Sequence, residues 1–135
     1  MVLLVHGQHS RNSERDAAVA RARQIITDYS NYDYTNADKE FAHLATEFTG
    51  SLKSTIQQDL NSVVSLIKAG KGTAKGSVRY AGVTFQHGSK ITVVAVVDQT
   101  VSNTAIPKGT LRRYRFSIVV QKVHGQWYGT ALEQI

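Results

Sequence analysis

The chain of 135 residues has no cysteine, which excludes thiol nucleophiles, disulfide frameworks and the cysteine-based zinc sites. A domain of this length can bury a sufficient core without disulfides, so the absence leaves the redox compartment open. No apolar run approaches the ~18 to 20 residues that a spanning helix needs; the longest candidates are 1–5 and 91–97. Acidic residues are scarce in one half: residues 68–135 hold ten Lys/Arg against two Asp/Glu, whereas residues 1–67 hold six against eight. The net charge of +6 is therefore a field concentrated on the C-terminal half. With 41% hydrophobic residues, 19% charged residues and a single proline, the composition is that of one ordinary globular domain.

The apolar periodicity divides the chain in two. Residues 1–12 read as a flexible tail, or as the remnant of a membrane anchor, ahead of a single α+β domain over 13–135. Ser13-Glu-Arg-Asp16 resembles a capping box and opens a helix to Tyr29, with Ala18, Ala22, Ile25, Ile26 and Tyr29 on one stripe. Phe41, Leu44, Ala45 and Phe48 mark a second, short helix ended by Gly50. Leu52, Ile56, Leu60, Val63 and Ile67 mark a third, closed by Ala69-Gly70. From Lys71 the period becomes alternating. Strands are predicted over 78–86 with a bend near Ala81-Gly82, 90–101, 110–123 and 126–132, joined by turns at His87-Gly88-Ser89 and His124-Gly125. Helices followed by a meander predict N-terminal helices packed on a curved four-stranded antiparallel sheet.

In the second strand Ile91, Val93, Ala95 and Val97 face one way, but Val94 and Val96 face the other. A sheet with one wet face carries polar residues there, so these valines call for a covering layer, a pocket or a partner. In the third strand Arg113 and Arg115 share one face with Ser117, and with Lys68, Lys71, Lys75, Arg79 and Arg112 they make up the basic surface. No nucleic-acid-binding motif or base-stacking pattern accompanies them, so nucleic acid is not the expected partner.

Catalytic signals are sparse. The histidines (His6, His9, His43, His87, His124) show no pair in ligand geometry on a regular element, and no metal site or cofactor is expected. Residues 69–76 carry glycines and lysines without the phosphate-loop spacing and read as a flexible basic linker, and no serine sits in a G-x-S-x-G elbow. Asp98 is the one acid/base candidate, with Tyr80, Tyr114 and Tyr128 available from other strands. No catalytic residue is assigned. Phe41, Phe48, Tyr114, Phe116 and Trp127 are the candidates to line an interior cavity.

Five strings carry a resemblance: Tyr29-Ser-Asn-Tyr-Asp-Tyr34, Phe48-Thr-Gly-Ser-Leu52, Thr100-Val-Ser-Asn103, Arg113-Tyr-Arg115, and Gly125-Gln-Trp-Tyr128 with Leu132-Glu133. In order and spacing they resemble the Mce-associated membrane proteins of mycobacteria and related actinobacteria, over roughly residues 13–135. The resemblance implies a nuclear transport factor 2-like, or cystatin-like, fold. It further implies a domain on the extracytoplasmic side of the cell membrane, tethered by one N-terminal helix, acting without catalysis as an accessory of Mce complexes that import lipids or sterols. Residues 1–5 are too short to be that tether. The implied partners are Mce subunits, with a lipid or sterol as the transported compound; from the residues themselves, the outer valines Val94 and Val96 and the Arg113 and Arg115 row are the expected contact, with another subunit or with a second copy of the chain. Three alternatives stand beside it: a lipid or small-molecule carrier, an isomerase or dehydratase of the same fold using Asp98, and an inner-membrane subunit of type IV secretion machinery.

Overall fold

The computed structural model describes residues 2–135, with side chains from residue 12 onward apart from Ser51. Its elements run α1 (Val2–Ser30), β1 (Tyr32–Asp33), α2 (Ala37–Thr46), α3 (Ser51–Gly70), β2 (Thr73–His87), β3 (Lys90–Ser102), β4 (Thr110–Val123) and β5 (Gln126–Gln134). The α+β order of helices before a meander is the one the sequence predicts. The main differences lie at the start of the first helix, at the start of β2 and in the number of strands. The helix expected from Ser13 begins at Val2, in the stretch read as a tail; once a helix is nucleated, each added residue gains a bond at little cost. The histidine pair His6 and His9 and the apolar 1–5 lie outside the residues with described side chains. The supposed linker closes into β2 from Thr73, and the sheet has five strands, because β1 adds two residues too short to show alternation.

All strands pair antiparallel in the order β1-β2-β3-β4-β5. The inner face carries Ile91, Val93, Ala95 and Val97 of β3 and Phe116, Ile118 and Val120 of β4, all buried. Across this face lies α1, whose Ala18, Ala22, Ile25 and Ile26 are fully buried at steps of 4, 3 and 1. The alanines keep the helix axis close to the sheet, and each isoleucine contributes ~1.5 to 3 kcal/mol by leaving water. Two glycines make the closest approaches. A Cβ on Gly76 would lie 2.4 Å from that of Ser30, and one on Gly129 would lie 2.7 Å from the Phe48 ring. In β2 the register is irregular between Val78 and Tyr80 and between Val83 and Phe85, on either side of Ala81-Gly82 where the bend is predicted.

α3 packs on α2 rather than on the sheet. Leu60, Val64 and Ile67 are buried there, whereas Val63, expected on the buried stripe, is 41% exposed and Leu66 is 74% exposed. The helix ends with Lys71 in the left-handed conformation and the Gly72 amide donating to the Ile67 carbonyl at 2.8 Å. Among the described residues no helix is long and apolar enough to cross a membrane.

Candidate functional site

Strand register builds the outer face of the sheet row by row. Tyr80 pairs with Val96, which pairs with Arg115; Gly82 pairs with Val94, which pairs with Ser117; Phe85 pairs with Thr92, which pairs with Val119. Because successive residues alternate across a strand, these rows share the face opposite α1. Tyr80 is 75% exposed, Phe85 62% and Leu111 65%, and the valines between them are half-buried. Gly82 adds no side chain in the middle row, so Val94 stays uncovered on that side. The result is an apolar strip across β2, β3 and β4, the surface that the two-sided valine pattern calls for. The expected contact residues Val94, Val96, Arg113 and Arg115 all fall on it.

The basic groups form one edge of the strip. Asp98 lies opposite Arg113 in the register, accepts a 2.7 Å hydrogen bond from its Nε, and stands 3.6 Å from Arg79 Nε. The hydrogen bond from Arg113 and the two positive charges hold the Asp98 carboxyl below its ordinary value. Asp98 is the acid/base candidate of the sequence. Asp98 faces outward, away from the interior, and a carboxylate fixed in its ionised form between two guanidinium groups lacks the near-neutral pKa a general base needs. Of the tyrosines set beside it, Tyr114 lies on the opposite face of the sheet, whereas Tyr80, paired with Val96, shares the outer face with Asp98. Arg115 is exposed beside Val96.

A second feature lies inside. Because α3 stands off the sheet, an open cavity of about 420 Å³ remains between α2, α3 and the end of the meander. Phe41, Phe48, Tyr114 and Phe116 line it as expected, joined by Leu52, Ile56 and Leu60 of α3 and by Gln99, Asp59 and Glu133 as polar groups. Tyr29 meets Phe116 edge to face at 5.6 Å, and burial pushes the Tyr29 hydroxyl up from its ordinary pKa. Trp127 does not line the cavity: it packs against the core elsewhere, opposite Lys122 on the β5 edge. The α3 lining residues were legible only as a helix stripe, since nothing in their spacing tells core contact from cavity wall.

Residues 1–135 match the family model described as Uncharacterized protein Rv1363c/MT1408-like. The chain is 22% identical over 129 residues to the uncharacterized protein Rv1363c of Mycobacterium tuberculosis, covering 95% of this chain and 49% of that protein. It thus spans about half the length of that relative. Solved structures share the fold, among them the two that follow. The periplasmic domain of DotI aligns with a TM-score of 0.73 at 12% identity, over 89% of this chain and 94% of that one. An IcmL-like type IV secretion system protein from Legionella pneumophila aligns with a TM-score of 0.68 at 13% identity, over 90% and 91%. The α+β, nuclear transport factor 2-like class is therefore the fold of this chain.

Proposed function

The chain belongs to the Rv1363c/MT1408-like family, and from that premise we propose that it is a non-enzymatic assembly domain of a cell-envelope complex, docking through the outer face of its sheet. One observation carries the reading: large apolar side chains, Tyr80, Phe85 and Leu111, stand exposed around half-buried valines on a face that no element of the chain covers among the described residues. Aromatic side chains with arginines along one edge have the composition of a binding hot spot, and a monomer rarely leaves such a surface to water. The arginine rim favours a partner with an acidic edge.

The partner is an Mce lipid or sterol import complex on the extracytoplasmic side of the membrane. The five strings that resemble Mce-associated membrane proteins support this, and the mycobacterial relative is in keeping with it. Fold likeness supports the alternative, a tethered subunit of a type IV secretion-like machine, since the periplasmic domain of DotI has the same architecture. Affinity purification from native membranes separates the two. Near-stoichiometric Mce subunits support the first, and secretion subunits the second. Replacing Val94 and Val96 by glutamate should abolish capture while leaving the fold intact; undiminished capture removes the sheet face from the assignment.

The cavity favours a second reading, that of a lipid or small-molecule carrier, because ~300 to 1,000 Å³ is the usual volume of a ligand pocket and this one, at about 420 Å³, is walled by aromatic rings. Native mass spectrometry of the protein from its own membranes tests it: a defined adduct lost on Phe116→Ala supports a carrier, and an adduct-free protein argues against one.

A further inference from the structure

Asp28 of α1, His43 of α2 and Glu47 at the C-terminal cap of α2 converge where the two helices meet β5. His43 Nε2 stands 3.4 Å from Glu47 Oε1 and 3.9 Å from Asp28 Oδ2. The three ligand atoms all lie within 4.8 Å of one another. Zinc–ligand bonds of ~2.0 to 2.2 Å place neighbouring ligands ~3.3 to 3.5 Å apart in a tetrahedral site, so a contraction smaller than a side-chain rotation would bring the set to bonding distance. The Glu47 side chain is 2% exposed, yet both of its carboxylate oxygens lack a hydrogen-bond partner, and Asp28 Oδ2 lacks one too. Buried polar groups are nearly always satisfied; Glu47 and Asp28 stand close enough to share a proton, and a cation in that proton's place would satisfy both while meeting the His43 imidazole.

Arg21 is the other charge that faces this point, and it is already engaged. Its Nε donates to the Trp127 carbonyl at 2.9 Å and its Nη1 to Gln24 at 3.2 Å, leaving Nη1 3.9 Å from Glu47. One guanidinium at that distance offsets only part of two carboxylates. The backbone holds Glu47 in place from the other side, for the Gly129 amide donates to the Glu47 carbonyl at 2.9 Å. His43, 65% exposed, leaves the remaining coordination positions open to water and gives the ion a way in.

We propose that Asp28, His43 and Glu47 bind one divalent transition-metal cation, which cross-links α1 to the end of α2. Carboxylate oxygens with imidazole nitrogen suit zinc and manganese and disfavour soft copper(I). The site is independent of the outer sheet face.

The test is calorimetric titration of the chelator-treated full chain with Zn2+ and, separately, Mn2+, with the thermal midpoint read alongside. Binding of one equivalent of either ion, with a raised midpoint, is expected. His43→Ala, a change at an exposed side chain that leaves the fold intact by circular dichroism, should weaken it more than tenfold, as should Glu47→Gln. His6→Ala/His9→Ala should leave it unchanged. Absence of binding by both ions overturns the site. So does an affinity that either His43→Ala or Glu47→Gln leaves unaltered, or one that is lost with His6 and His9.

Discussion

With chelator present, the stability of this domain should fall as pH rises from 5 to 8, and Glu47→Gln should abolish that fall. In the folded chain, burial, then Asp28 beside it, pushes the Glu47 carboxyl up to about 8, with Arg21 pulling the other way. In the unfolded chain it titrates near its ordinary value. Between the two values the folded state holds a proton that the unfolded state has released, so folding is favoured below the window and weakened through it. One proton corresponds to ~1.4 kcal/mol for each pH unit, which sets a ceiling of roughly 4 to 5 kcal/mol across the window. Arg21 can close from 3.9 Å as the carboxylate ionises and return part of this, leaving on the order of 2 to 3 kcal/mol. Glutamine occupies the same volume without titrating. The variant should match the natural chain near pH 5 and exceed it at pH 8. Urea denaturation at half-unit steps of pH measures both curves. A natural chain whose stability is flat or rises over this range, or a variant with the same slope, would refute the reasoning.

Three further outcomes follow from the geometry. Gly129→Ala places a Cβ 2.7 Å from the buried Phe48 ring, and overpacking of ~1 to 3 kcal/mol outweighs the ~0.4 to 1 kcal/mol gained from a stiffer unfolded chain, so a lower denaturation midpoint is expected. Tyr80→Ala with Phe85→Ala should change stability by less than ~1 kcal/mol, since both rings are mostly in water, while weakening partner capture more than tenfold. Asp98→Asn releases Arg79 and Arg113; because the folded carboxyl titrates below its ordinary value, the stability it lends is present at neutral pH and lost on acidification, so the natural chain and the variant should converge in acid denaturation.

Much of the fold was legible because burial on one face imposes a period. The stripe from Ala18 to Ile26 and the alternation of Ile91, Val93, Ala95 and Val97 each had one geometric solution. The outer face was legible for the same reason: Val94 and Val96 broke the pattern of a sheet with one wet side. What was hidden depends on tertiary distance. Val63 keeps helical spacing but borders a cavity, because α3 leans on α2 and not on the sheet. Asp98 shares its face with the outer valines, yet only the register reveals that Arg113 lies opposite it. Trp127 looked like cavity wall since aromatic character does not say which side of a sheet edge it serves. The Asp28, His43 and Glu47 cluster had one local signal, a histidine and a glutamate four residues apart on a helix next to the buried Phe48; the third member arrives from another helix, so the histidines taken by themselves showed nothing.

The central claim is that the outer sheet face is where this domain meets its complex. A photo-crosslinking residue placed in turn at Tyr80 and Val94, with exposed Leu66 on α3 as the comparison, tests it most directly in native membranes. The account predicts a defined crosslink to an envelope-complex subunit from Tyr80 and Val94 and none from Leu66. Crosslinks from Leu66 alone, or the same pattern from all three positions, would contradict it.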